Sequence, residues 1–579
     1  MSPLLLSVAL PPLDEQELKR SAGDAESPYT GSRNLGGYGL AIMEAGDVGA
    51  AIYYGPAVAG HAHYDKPFME VYGFGKKLIP DLGYPQFAAE AKDPAAWEEH
   101  NLSHYTVTVN ASKQASQKRG ILNQFAVTPD VRLVDLSAPD AYPGMDEYRR
   151  VTLMIGGESE SPYMVDFFLV KGGKSHDFSI HGFDGEFATD GIELSPVQEK
   201  GTLAGEDVPY SYLYDDPELE KPDKTRSFFS YQGSAYSYLY NVQRGMPTDT
   251  WSAVWADKDC GIRAIFPRQG IKEAVIANGN PPKRPGSPES LKYILLRNSG
   301  DDGLASRFAC VLQPFRTGEE PLRVRRIRDC FLEIKGPHGT DLVYLADDPS
   351  KTVRIGGLSI TGTCAILRAD TSHEVKSVFL SGGGSIHQGL LSVDAGPSQE
   401  GRVAAVDYSK NMVTLDMPSL PEGLQSDTIL FGRSNYPLRL ADERTMIDLG
   451  EDSPRIGKIA VSSIDPEGRF VATSNVLYFI SAGCYENVWL VNEDFTKWHR
   501  ITNISDGKAL LKEPADLKSE FADKDGDGRI TAYLYDVAPG QEFTIPAACW
   551  IGNGASGWEM QTNSPAKAFL PDGNELEAK

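Results

Sequence analysis

The chain has 579 residues, of which 80 are Asp or Glu and 56 Lys or Arg, giving a formal net charge of -24. That field disfavours nucleic acid and anionic lipid, which are held through cationic neutralisation of phosphate, so an anionic polymer needs a locally cationic cleft. Hydrophobic residues at 41% supply packed cores, and no apolar run reaches the roughly 18 residues of a membrane span.

The first 27 residues read as a polar tail with a short helix at Leu13–Arg20. The apolar stretch Leu4–Leu10 lacks the basic lead and small-residue cleavage pattern of a secretory signal, and reads as an edge strand or the tail of a preceding domain. β-Type patterning follows. Ala50–Tyr54, Phe68–Phe74, Tyr105–Asn110, Val151–Ile155, Tyr163–Val170 and Phe178–His181 are rich in β-branched and aromatic residues, and most are bounded by turn formers. Ala88–Trp97 reads as a helix broken at Pro94. The pentapeptide YSYLY occurs at Tyr210–Tyr214 and again at Tyr236–Tyr240, which predicts two paired strands. Trp251 and Trp255 are expected in the core.

The character shifts at Arg323–Cys330, placing a boundary near residue 320: a tail over 1–27, a large β-sandwich over 28–325 and a smaller β-rich region over 326–579. Asp341–Ala346, Ser359–Arg368, Arg402–Asp416 and Asn475–Ile480 alternate as antiparallel strands, while Pro281–Pro288 and Pro418–Pro421 read as surface loops. The fold class is all-β, with few helices. The six cysteines are scattered with no close pair, which excludes a CxxC site and a dense disulfide framework but leaves one or two bridges open.

Chemistry concentrates in GHAHYDKPFMEVYGFGKKLIPDLGY, Gly60–Tyr84. If Gly60–Tyr64 is extended, His61 and His63 share a face with Asp65 next in line. Pro80-Asp81 closes the following strand, and His100 and His104 precede TVTVN. Neighbouring strands lie about 4.8 Å apart, so three of them can deliver His63, Asp81 and His104 to one point. Such a set suits Zn²⁺ with bonds of about 2.0–2.2 Å; the competing reading is a hydrogen-bonded histidine cluster at a loop edge. His176 and His181 are read as structural. Lys76–Lys77 and Arg323–Arg328 offer positive charge or a solvated face.

This segment resembles the heparinase II/III-like polysaccharide lyases, whose pattern runs roughly G-H-x-H-x-D, an aromatic-rich strand, then P-D-x-G. Three further pieces follow in family order: HYTVTV at His104, with Tyr105 where the family has Asn; VDFFLVKGGKSHDFSIHG from Val165 to Gly182; and SRFACVLQPF from Ser306 to Phe315. The resemblance covers roughly residues 30–330. It implies zinc at His63, Asp81 and His104, and a cleft-facing His61. It also implies β-elimination across a uronic-acid linkage, in which a tyrosine protonates the leaving oxygen, and a second family tyrosine after the Asp ligand, for which Tyr84 is the nearest candidate. Heparan sulfate, alginate and other uronans are the substrate classes. The family's N-terminal helical toroid, which supplies an Asn/His and the main catalytic Tyr, is expected on a separate polypeptide, replaced or missing. The family also implies a periplasmic or secreted location. The rival readings are a non-catalytic carbohydrate-binding or scaffold protein that keeps the zinc site, and a cupin-like metal enzyme using His61, His63 and His104.

A second motif, DKDGDGRIT, places Asp523, Asp525, Asp527 and the Arg529 carbonyl like the opening ligands of an EF-hand-type Ca²⁺ loop. Position 12 is Leu534, so the bidentate ligand is absent, and Asp536 is its nearest substitute. The alternative is an exposed Asp-Gly turn.

Overall fold

The computed structural model describes residues 31–57, 62–85, 92–157, 160–417, 428–441, 445–450, 453–475, 483–523, 526, 528–554 and 557–578. The expected strand or leader at Leu4–Leu10, the helix at Leu13–Arg20, the Pro418–Pro421 loop and residues 476–480 lie outside them.

The protein is all-β. A five-stranded antiparallel meander opens it, running from Arg33–Leu35 through Leu40–Ala45, Val48–Tyr53 and Phe68–Gly73 to Lys76–Ile79. Two further sheets stack beside it. One has eight strands, ordered from Glu186–Asp190 at one edge to Ile121–Val127 at the other. The second has five, from Leu239–Gly245 to Thr106–Val109.

The central strand of the eight-stranded sheet shows why this packing forms. Tyr163–Lys171 reads YMVDFFLVK, apolar at almost every position. Met164, Phe168 and Val170 enter the core shared with the meander and the five-stranded sheet. Val165, Phe167 and Leu169, on the opposite face, enter a second core with Val324, Leu332 and Ile366. A strand covered on both faces needs a continuous apolar run, since successive side chains alternate sides. Trp251 and Trp255 are buried at 3% and 1% exposure, as expected.

The strand Arg323–Arg328 starts an eleven-stranded sheet that packs on that second face. A six-stranded sheet and a closed six-stranded barrel follow, the barrel strands falling between Arg455–Ile464 and Ile530–Tyr535. Arg402–Asp416 is two strands, Gln399–Asp407 and Met412–Asp416, turned at Asn411 with φ 53°.

The YSYLY pair corrects the sequence expectation. Tyr210–Tyr214 is turn, and Tyr236–Tyr238 is one turn of 3₁₀ helix leading into Leu239–Gly245. Ser211 and Ala235 take φ of 60° and 57°, left-handed values that break extension at both copies. The segments still meet: Tyr210 packs edge-on against Tyr238 and Tyr240 at centroid distances of 5.5 and 5.6 Å. Of the expected helix at Ala88–Trp97, residues 86–91 lie outside the described set, and Pro94–Glu98 forms a single π turn. All six cysteines are free thiols, so no bridge forms. Among the described residues, no helix is long and apolar enough to cross a membrane.

Candidate functional site

His63, Asp65, Asp81 and His104 converge, each offering one ligand atom, with all four atoms within 4.8 Å of one another. His63 Nδ1 lies 2.9 Å from His104 Nε2 and 3.4 Å from Asp81 Oδ2. His104 Nε2 lies 3.0 Å from Asp81 Oδ2 and 3.7 Å from Asp65 Oδ2. The sequence expectation put the trio on three adjacent strands. The structure instead uses connectors: His63 and Asp65 follow the meander's third strand, Asp81 follows Lys76–Ile79, and His104 closes the 3₁₀ turn Asn101–Ser103. Connectors leave these side chains free of the ladder's two-residue alternation, so donors from different sheets reach one point.

The His104 imidazole is held in orientation from behind: its Nδ1 faces the His100 carbonyl at 2.9 Å, which turns Nε2 toward the carboxylates. Burial opposes ionisation of Asp81, but hydrogen bonds and charge from His104 and His63 hold its carboxyl well below the usual range. Burial likewise opposes the His104 cation, yet the Asp81 hydrogen bond and the charges of Asp81 and Asp65 raise it to about 9. Asp81 Oδ1 accepts from the Gly83 amide at 2.5 Å, fixing the carboxylate's rotation.

Two atoms bear on whether these residues fit a metal. His63 Nε2 and Asp65 Oδ1 are buried without a hydrogen-bond partner. Leaving buried polar atoms unpaired is costly, and the atoms that converge, His63 Nδ1, His104 Nε2 and Oδ2 of Asp81 and Asp65, need a proton or a cation between them. Two imidazole nitrogens and two carboxylate oxygens form a donor set suited to a zinc-like divalent ion. The residues fit.

Asp65 joins the cluster although the sequence reading noted it only as next in line after His63. The i, i+2 spacing of HYD is its signal. A further support was not legible. Arg150 and Asp166, each fully buried, form a two-pronged ion pair with both N–O distances 2.9 Å. Arg150 Nη1 donates to the Tyr105 carbonyl at 2.7 Å and the Pro67 carbonyl at 3.0 Å. One guanidinium therefore pins the chain beside His104 and the chain two residues past Asp65. Tyr105 adds its hydroxyl to Asp166 at 2.7 Å.

Tyr84 packs edge-on to His63, ring centroids 5.1 Å apart. Burial first, then the charges of Glu99 and Asp81, push its phenol upward, so it keeps its proton at neutral pH. His61 lies outside the described residues, as do Asp525 and Asp527. Asp523 accepts from the Gly526 and Gly528 amides at 2.8 and 2.9 Å, an ordinary turn cap, and Arg529 leads into Ile530–Tyr535. His176 sits between Ser306 Oγ and the Gly172 carbonyl, both at 2.7 Å, and His181 contacts the Gly182 carbonyl at 3.0 Å. His100 binds the Gly233 carbonyl at 2.9 Å. All three have hydrogen-bond partners within the fold. Lys76 and Lys77 are paired with Asp257 and Glu70.

Residues 28–188 match the family model described as heparinase II/III-like, C-terminal. A 223-residue stretch, 35% of this chain, is 26% identical to an alginate lyase of Stenotrophomonas maltophilia (strain K279a), of which it covers 30%. The heparinase III-BT4657 gene product overlays 56% of this chain and 44% of its own, at 13% identity and a TM-score of 0.38. The heparan sulfate lyase HepC from Pedobacter heparinus overlays 56% of this chain and 44% of its own, at 12% identity and a TM-score of 0.36. The chain spans less than half the length of each of these relatives.

Proposed function

We propose that the protein is the β portion of a lyase acting on a uronic-acid polysaccharide by β-elimination, a reading supported by the match of residues 28–188 to the heparinase II/III-like, C-terminal family. The observation that carries this reading is the half-buried four-donor cluster with Tyr84 packed against one of its imidazoles. His63, Asp65, Asp81 and His104 would hold a divalent ion, Zn²⁺ being the best match to the donors. When bound, the ion supplies fixed positive charge that orders this edge of the cleft.

The chain's own groups do the rest. Elimination removes the proton beside a uronate carboxylate and expels the glycosidic oxygen, so it needs a base, a proton donor and relief of the carboxylate's charge. Tyr84, protonated at neutral pH, stands at the cluster as proton donor. His61, two residues before His63, is proposed to face the carboxylate. A helical domain, on the same or another polypeptide, would close the cleft and provide the second acid–base group. A periplasmic or extracellular setting fits such a substrate.

The test is direct. The chain, alone and with a candidate helical partner, is incubated with alginate, heparan sulfate and other uronans while ultraviolet absorbance is followed. A rise marks the unsaturated uronate. Binding of uronan without any rise, in both preparations, would make the protein a carbohydrate-binding scaffold instead.

A further inference from the structure

The protein's net charge is -24, yet a cavity of about 470 Å³ at the junction of the meander, the six-stranded sheet and the barrel is lined by Lys118, Arg119, Arg433 and Arg455. Its size falls in the range of small-ligand clefts, about 300–1,000 Å³. The two acids on its wall are engaged: Glu486 takes Lys118 Nζ at 2.9 Å, and Asp536 accepts from the Tyr436 hydroxyl at 2.6 Å.

Two donors in the same wall are not engaged. Arg119 Nε and Asn435 Nδ2 are buried and lack a hydrogen-bond partner, and Asn435 as a residue is only 4% exposed. The Asn435 amide cannot be reversed to remedy this. Tyr54 donates its single hydroxyl hydrogen to Asn34 Oδ1 at 2.7 Å, so Asn34 turns its Nδ2 toward Asn435 Oδ1 at 2.6 Å and the Asn435 NH₂ is what remains. Gly36 makes the arrangement possible, since a Cβ there would lie 2.3 Å from Asn435 Oδ1. Arg119 is fixed by Nη2 donating to the Gly36 carbonyl at 2.5 Å. Fixed, desolvated donors beside cations are the components of an oxyanion site.

The segment that ends in Lys118 and Arg119 is tied to the residues flanking Asp65: Ser116 O accepts from Lys66 Nζ at 3.1 Å, and Gln117 Nε2 donates to the Tyr64 hydroxyl at 3.2 Å. Arg433, Asn435 and Arg455 lie beyond the 28–188 family segment.

We infer that this junction cavity is a subsite for one carboxylate of an acidic saccharide chain, with Arg119 and Asn435 donating hydrogen bonds and Arg119 and Arg455 supplying charge, Lys118 and Arg433 being paired with Glu486 and Asp140. The choice of a saccharide carboxylate rests on the lyase reading; the anion preference rests on the cavity alone.

Calorimetric titration of the full chain with a short mannuronate oligomer and its carboxyl-reduced neutral counterpart tests it. Asn435→Asp keeps the acceptor and replaces the orphan donor with a second acceptor; Arg455→Gln removes charge at the rim. Expected are at least 10-fold weaker binding for Asn435→Asp and for the neutral oligomer, and several-fold weaker binding for Arg455→Gln. Equal affinity for the neutral oligomer, binding of inorganic sulfate but not of the oligomer, or undiminished binding by the variants would overturn it. If Asn435→Asp does not fold, Arg455→Gln and the neutral oligomer decide. Elimination is read separately by absorbance: wild-type binding lost in Asn435→Asp without any elimination keeps the subsite and removes the lyase reading. Elimination with unchanged binding by Asn435→Asp does the reverse.

Discussion

Tyr84 is the residue on which chemistry and packing separate most cleanly. Its ring contacts His63, while its hydroxyl is the group assigned to proton transfer. Tyr84→Phe keeps the ring and removes the proton. Elimination by the completed enzyme should fall by about 10²–10⁴-fold, the usual worth of a general acid, with metal content unchanged. Loss of metal as well would make Tyr84 a positioning residue. Asp166 presents the opposite case, a residue that never meets substrate. Removing one member of a fully buried ion pair strands the other, so Asp166→Ala should cost about 3–5 kcal/mol in denaturant unfolding. Because Arg150 also holds the carbonyls beside His104 and Asp65, metal affinity should weaken in the same variant. His181 sets a pH limit: burial pushes its imidazole down to about 4 from 6.5, so the folded state keeps it neutral while the unfolded chain takes up a proton. Stability from this group is complete above pH 6.5 and declines as pH falls toward 4. His181→Gln should flatten that part of the stability–pH curve.

Strands explain how much of the molecule could be read from letters. Tyr163–Lys171 announces itself because both faces are covered, and no alternation is needed to see it. Trp255 belongs to the same logic. It is 1% exposed, and a Cβ on Gly182 would lie 2.3 Å from its ring, so the two positions were fitted to each other. Trp255→Ala should cost about 3–5 kcal/mol by thermal or denaturant melting, and a cost under 1 kcal/mol would deny it a core role. The YSYLY repeats misled because aromatic content favours strands in general, while left-handed φ at Ser211 and Ala235 is a local choice composition does not encode. In the site, the HxHxD spacing made His63 legible. Arg150–Asp166 was not, because it depends on the register of neighbouring strands: Asp166 faces Thr152, with Arg150 one step along the same face.

At the scale of the whole molecule, β units far apart in sequence meet around a few polar contacts. Asn34 and Tyr54 reach Asn435 across about 400 positions, and Lys118 reaches Glu486. Such pairings follow from docking of completed sheets, which is why no sequence pattern marks them. Gly36→Ala should disturb this junction without touching the metal cluster, weakening uronan binding while metal content holds.

Binding of a divalent ion by His63, Asp65, Asp81 and His104 separates a metal centre from a hydrogen-bonded histidine cluster. Elemental analysis by mass spectrometry of the purified chain, after exposure to zinc and removal of the excess, should find about one equivalent per chain. His63→Ala, confirmed folded by circular dichroism, should lose most of it. A metal-free wild type, or a variant that keeps its full equivalent, would contradict the assignment.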